Sequence, residues 1–224
     1  MKTSELDLKL KELNGLKWLP WVGENYMNST SKILIIGESH YQGATEESIK
    51  KHENPEFTRI VVNELAIRYL TNDKRSGTLF RNLNLALNGT SSNDKEVRRE
   101  MWDKFAFYNF IQEPMDDISK RPSKEQIKEG WKVFLAVIKI LQPEKVLFIG
   151  SKVSEKYDLI LNELGVEFEK INIVKSISSR QKHRLLKLKI DGKDLEINFI
   201  KHTSSFFSWQ KWNKHFNEIK FIVQ

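Results

Sequence analysis

The sequence predicts an α/β fold organised on a buried parallel sheet, and two observations lead there. Ile33-Leu34-Ile35-Ile36 is apolar at every position, and three of its four residues are β-branched. A strand apolar on both pleat faces is covered on both sides, as in a parallel sheet between helices. The pattern then recurs: strand-like runs at about 32–37, 105–111, 145–150 and 195–202 alternate with helical segments. Crossovers between parallel strands require such helices, which places helices on both faces of one sheet. Ligand crevices in such sheets lie beyond the carboxyl ends of the strands. Glu38, Ser39, His40 and Tyr41 stand at that place after Gly37. A buried strand followed by an ordinary polar turn is the plain alternative for this stretch.

In chain order, SELDLKLKELNG reads as a short amphipathic helix stopped by Gly15. Residues 1–31 carry no signal-peptide pattern and form an arm packed on the single domain 1–224, with Trp18 to Tyr26 as its aromatic part. Gln42 to Pro55 is a polar loop or frayed helix, and Phe57 to Leu70 is helical. TLFRNLNLALNG is an amphipathic helix ended by Gly89. Ser92 or Asn93 is placed to cap the charged helix that follows. KFAFYNFIQ is a strand with Asn109 in its aromatic centre. Ser123 to Gln142 is a helix with Ser123 and Gln126 as a capping box and Pro143 after its end. KVLFIG is a strand, and the helix after it stops at Gly165. Phe168 to Ile177 is extended, and Ser178 to Arg184 is a basic loop. LLKLKI and LEINFIKH form a hairpin about Asp191-Gly192. FFSWQKWNKHFNEIK closes the chain as an amphipathic helix.

Composition narrows the chemistry. The absence of cysteine excludes disulfides, thiolate metal sites and cysteine nucleophiles, and fits a reducing, cytoplasmic setting. No histidine has metal-ligand spacing to another or to a carboxylate, so neither metal nor cofactor is expected. A net charge of +7 favours an anionic partner such as nucleic acid or a nucleotide. No membrane segment is read, and the expected state is a monomer.

Taken together, the motifs resemble those of the uracil-DNA glycosylase superfamily over about residues 32 to 220. That family's first motif follows the first core strand as Gly-Gln-Asp-Pro-Tyr-His or variants such as Gly-Glu-Ala-Pro-Gly; here it reads Gly37-Glu38-Ser39-His40-Tyr41. Its last motif, His-Pro-Ser, is similar to His202-Thr203-Ser204-Ser205. The strand of Asn109 resembles the one whose Asn reads the base. LFIGSKVSEKY resembles the third core strand and its helix. TLFRNLNLAL is similar to the family's Ser-Leu-x-Asn-Ile helix, with Asn82 at the matching Asn. Three departures stand out: Ser39 replaces the Asp that positions water in the uracil enzymes, His40 replaces the next Pro, and Thr203 replaces the Pro of the last motif.

The resemblance implies a three-layer α/β/α sandwich with a four-stranded parallel core. It also implies hydrolysis of the N-glycosidic bond of a deaminated or damaged base, as in DNA repair, with DNA a better fit than RNA. Such cleavage builds positive charge on the sugar and negative charge on the departing base, which preorganised dipoles stabilise, and the base must leave the stack. Glu38 is then the candidate for handling water, with Ser39 able to help by hydrogen bonding. His202 would bond the departing base, and Asn109 would read its edge, since an amide offers both donor and acceptor. Gly37, His40 and Tyr41 complete the base pocket, with His40 also eligible as a general acid or base and equally as a surface residue in the place of the family Pro. Ser204, Ser205, Lys152, Arg180 and Lys182 would contact phosphate. Phe206 and Phe207 stand where the family inserts a wedge, with at least one of them serving core packing. His183 and Lys201 join the basic rim. Two other functions compete: a nucleic-acid or nucleotide-binding module that has lost catalysis, and a serine hydrolase with Ser39 as nucleophile and His202 as base. For the latter, Gly37-Glu38-Ser39 resembles the Gly-Asp-Ser block of lipase-like esterases, whose Asp-x-x-His tetrad is missing here.

Overall fold

The run Ile33 to Gly37 lies at the centre of the molecule as strand β2, buried at every position. In the computed structural model, which describes residues 3–69, 74–89, 94–117, 120–150, 157–204 and 206–222, it joins a seven-stranded mixed sheet. The other strands are β1 (Trp21–Val22), β3 (Phe105–Asn109), β4 (Lys145–Ile149), β5 (Phe168–Ser178), β6 (Gln181–Ile190) and β7 (Lys193–Ile200), in spatial order β1-β3-β2-β4-β7-β6-β5. The pairings β2/β3, β2/β4 and β4/β7 are parallel. Those of β1 with β3, β6 with β7 and β5 with β6 are antiparallel. The α/β class therefore holds, but the sheet is larger than the four expected strands. The aromatic arm is not merely packed on the domain, because Trp21–Val22 pairs with β3. At the other edge β5 and β6 extend the sheet beyond β7.

Helices α1 (Thr3–Lys11), α2 (Glu46–Glu53), α3 (Phe57–Val61), α4 (Lys74–Asn88), α5 (Lys95–Trp102), α6 (Lys124–Leu141), α7 (Tyr157–Glu163) and α8 (Trp209–Glu218) surround the sheet. Strand alternation sends side chains to opposite faces, and each face has its own core. Leu34, Ile36, Tyr108 and Phe148 pack with Leu6 and Leu10 of α1, Trp131 and Phe134 of α6, and Leu161 of α7. Ile33, Ile35, Phe105 and Phe107 pack with Phe80 and Leu83 of α4, Trp102 of α5, and Trp212 and Phe216 of α8. The helices after β2 thus lie on one face, while α6, after β3, lies on the other. Connections that leave adjacent strands toward opposite faces open a crevice at their carboxyl ends, here between β2 and β3.

Several local expectations change. The segment 42–55 contains a true helix, α2, because the Thr45 side chain accepts from the Ser48 amide and caps it. The helix from Phe57 becomes π-helical over Val62–Ile67, and Leu70 lies outside the described residues. Ser92 and Asn93 also lie outside them; the cap of α5 is Asp94, accepting from the Glu96 amide at 2.8 Å. The basic loop 178–184 is mostly strand, since pairing with both β5 and β7 draws Gln181 onward into β6 and leaves only a short turn before it. The Ser123–Gln126 capping box is formed. No helix among the described residues is long and apolar enough to cross a membrane.

Candidate functional site

A cavity of about 360 Å³ occupies the crevice beyond β2 and β3, within the roughly 300–1,000 Å³ range of small-ligand sites. Gly37, Glu38, Ser39, His40, Tyr41, Asn109, His202 and Ser204 line it, with apolar walls from α3, the π-helical segment, α4 and β3: Phe57, Val61, Leu65, Leu79, Phe80 and Phe107. Alternation accounts for the convergence. Ile33, Ile35 and Gly37 face one side of the sheet, as do Phe105, Phe107 and Asn109, so the cavity begins where that core runs out of apolar side chains.

Gly37 and Asn109 are register partners. A Cβ on Gly37 would stand 2.1 Å from Asn109 Oδ1 and 3.2 Å from Phe107 Cζ, so the amide lies in the space a side chain would fill. Asn109 is only 5% exposed, yet its side chain bonds to no other described residue, and only its backbone carbonyl accepts, from Gln112 Nε2. The amide opens onto the cavity, where a ligand edge offering both donor and acceptor would pair with it. Gly37→Ala is expected to push this amide aside and weaken ligand binding by about tenfold to a hundredfold, the loss of one or two hydrogen bonds of ~1–1.5 kcal/mol. Titration of parent and variant with the same nucleobase or oligonucleotide checks this; equal affinities would mean that Asn109 does not touch the ligand.

The motif after β2 is held by backbone bonds continuing past the strands. The amides of Phe110 and Ile111 donate to the carbonyls of Gly37 and Glu38, at 2.9 and 3.0 Å. Met115 donates to the His40 carbonyl, and Gln42 donates back to Met115. Glu38 is consequently buried, at 7% exposure, with Arg121 Nη1 3.6 Å from its Oε1. Gly150, at φ +118°, ends the neighbouring strand with an open flank: a Cβ there would meet Glu38 Oε2 at 3.3 Å and His202 Cδ2 at 4.0 Å. The Ser39 hydroxyl is buried without a hydrogen-bond partner among the described residues.

His202 receives the Ser204 backbone N–H on Nδ1 at 3.3 Å, and the Ser204 hydroxyl lies 2.8 Å from the same nitrogen. An accepting Nδ1 leaves the proton of the neutral ring on Nε2. Burial first, and then the Arg121 charge, hold the His202 pKa below the ordinary imidazole value, so this neutral donor form is the one present at neutral pH. Thr203, in the place of a motif Pro, is wholly buried and donates from its hydroxyl to the Leu79 carbonyl, while Asn82 Nδ2 donates to the Thr203 carbonyl at 2.7 Å. Asn82 thereby ties α4 to the His202 loop.

The other expected residues divide. His40 lines the cavity, but burial, helped by the nearby His52, pushes its pKa down to about 3. Its Nε2 bonds Thr58 Oγ1 at 2.9 Å, and Trp18 and Phe57 crowd its ring. Burial thus favours the neutral ring, packed against these neighbours at the cavity wall. Tyr41 borders the cavity, 39% exposed. Phe207 stacks on Trp212 and serves packing, whereas Phe206 projects into solvent at 78% exposure, outside the cavity lining. Arg180, Lys182 and Lys201 line a different concavity. His183 is not on any rim: it is buried between His215 and Asn198, because β6 alternation turns it inward toward α8. Ser205 and Lys152 lie outside the described residues.

Arg121 was not anticipated. It is more than half exposed and reaches Glu38 from the loop after β3. Its legible signal was a cation on the same carboxyl edge as Asn109. The aromatic walls Phe57 and Phe80 had no sequence signal, since helix-to-sheet packing alone brings them there. Among the described residues no group of three or more His, Asp or Glu side chains is placed to hold a metal ion. Comparison with known proteins finds no matching family model and no matching curated protein.

Proposed function

We propose that this protein is a diverged base-excising N-glycosyl hydrolase on a uracil-DNA glycosylase-like α/β/α fold, acting on a deaminated or damaged base in nucleic acid without metal or cofactor. The observation that carries the reading is the buried, unpartnered amide of Asn109 in one aromatic-walled cavity with Glu38 and His202. The parallel pairings of β3, β2, β4 and β7 and the helices on both faces support the fold reading.

The chemistry follows from these groups. A flipped base lies between the apolar walls, and Asn109 pairs with its edge. Glu38 holds a water and takes its proton as the oxygen bonds to the anomeric carbon. The bond from that carbon to the base nitrogen breaks, and the electron pair leaves with the base, whose negative charge the His202 Nε2–H stabilises. The Glu38 proton then returns to the released base. Arg121, with Nη1 3.6 Å from Glu38 Oε1, helps keep the carboxylate oriented.

The test is a single-turnover assay on oligonucleotides carrying uracil, hypoxanthine or xanthine. Release of one of these bases is expected, slower than in an enzyme carrying the motif Asp, because Ser39 supplies no charge. A second reading, a binding module that has lost catalysis, is favoured by that same Ser39; retained oligonucleotide binding with no base released would establish it. The serine-hydrolase reading lacks support from geometry, since no histidine lies within hydrogen-bond reach of the Ser39 hydroxyl and the His202 Nδ1 is engaged by Ser204.

A further inference from the structure

Gln181, at the first position of β6, is polar, uncharged and only 6% exposed. Strand alternation accounts for its burial: Gln181 and His183 turn inward, while Lys182 between them faces out. Both ends of its side-chain amide are used. Oε1 accepts from the Trp212 indole Nε1 at 2.7 Å, and Nε2 donates to the Phe206 backbone carbonyl at 2.7 Å. An indole N–H only donates and a carbonyl only accepts, so the amide fits one way round. Gln181 thereby ties β6 to α8 and to the loop that runs from His202 into α8.

The carbonyl it holds belongs to a strained residue. Phe206 has φ +48°, in the left-handed region that a side chain disfavours. Core packing does not hold it there, since Phe206 is exposed, with the Lys201 ammonium 5.4 Å from the centre of its ring. Strained backbone persists where its surroundings over-determine it, and such places cluster at functional sites. Here the surroundings are Gln181 on the Phe206 carbonyl and the Phe207 ring stacked on Trp212, with planes 3° apart.

The loop is therefore pinned at both ends. On the near side the Thr203 hydroxyl donates to the Leu79 carbonyl, and Asn82 donates to the Thr203 carbonyl. On the far side Gln181 and Trp212 hold Phe206 and Phe207. Ser204 lies between, and presents both its backbone N–H and its hydroxyl to His202 Nδ1. We infer that Gln181 is a positioning residue for His202: by fixing the left-handed turn at Phe206 it keeps Ser204 on Nδ1, and so keeps the proton of the neutral ring on Nε2. What that proton does for catalysis rests on the base-excising reading. The placement of the ring does not, and the test separates the two.

The test compares the parent chain with Gln181→Met, which keeps the length of the side chain and loses both bonds, and with two changes at the exposed Phe206. A β-branched side chain resists positive φ and glycine accepts it freely. Phe206→Val and Phe206→Gly therefore remove the same ring and differ in the turn. The His202 tautomer is read from imidazole nitrogen shifts by NMR near neutral pH. Gln181→Met and Phe206→Val should both let the second tautomer, with the proton on Nδ1, appear. Phe206→Gly should keep the parent spectrum, and adding it to Gln181→Met should restore that spectrum. In the single-turnover assay Gln181→Met should release base up to about 100-fold more slowly, the size expected of a small misplacement, with little change in oligonucleotide affinity. A parent-like His202 spectrum in folded Gln181→Met, or one spectrum shared by Phe206→Val and Phe206→Gly, overturns the positioning role. If Gln181→Met does not fold, the two Phe206 variants decide alone. The expected spectra, with no base released by the parent, keep the positioning role and overturn the base-excising reading.

Discussion

Glu38→Gln should lower the single-turnover rate of base release by on the order of 100- to 1000-fold, the usual cost of removing one preorganised electrostatic group. Glutamine keeps the size and a hydrogen-bonding oxygen but cannot take a proton from water or oppose the developing sugar cation. The position makes the loss large. Glu38 is buried beside Arg121, where charge is screened less than in bulk solvent, and Ser39 offers no substitute charge. His202→Ala should produce a comparable loss by removing the Nε2 donor. The parent's pH profile adds a second test, read as the rate per folded molecule because stability also falls with acid. Because burial and Arg121 hold His202 below the ordinary imidazole range, protonation of this ring should slow the reaction only at a pH below that range. Full activity in both variants would place the chemistry elsewhere in the molecule.

Acidification should unfold this protein before most of its carboxylates matter. His40 is held down to about pKa 3 and His183 to about 4, both chiefly by burial. In the unfolded chain each returns to about 6.5. Below that value the unfolded state binds protons that the folded state refuses, so stability falls as pH falls. His183 contributes from about pH 6.5 down to about 4, and His40 continues down to about 3. In the shared window each group costs about 1.4 kcal/mol per pH unit. The surroundings offer little rescue: His183 faces His215 and Asn198, and His40 faces His52 and Thr58. Urea midpoints from pH 7 to 4 should decline steeply, and His40→Gln, whose amide can still meet Thr58, should remove about one proton from the slope. A flat profile in the parent would show that these rings titrate without unfolding.

The parts legible in the sequence were those set by local chemistry. The apolar runs at Ile33 and Val146 had to be buried strands, since no surface would keep them exposed. The Ser123–Gln126 box and the Asp191-Gly192 turn are contacts among a few neighbouring residues, so they form as written. Glu38, Tyr41, Asn109 and His202 could be nominated for one cleft because strand ends in a parallel sheet share an edge, and they do line one cavity.

Other features depended on partners distant in the chain. Trp21–Val22 is a strand only because β3 presents an unpaired edge to it, and Gln181 to Arg184 leave the loop state only because β5 and β7 flank them. The identity of a basic residue carried no information about which face it takes. A one-residue alternation sends Lys182 to the basic concavity and His183 into the core beside His215. The same alternation separates Lys201 from His202. Arg121 meets Glu38 across more than eighty residues of chain, and the Asn109 amide fills a gap that exists only because its register partner is glycine. Sequence thus determined which segments had to be buried and how their ends were capped. Pairing and register, long-range contacts that no local preference encodes, decided which side chains share a cavity.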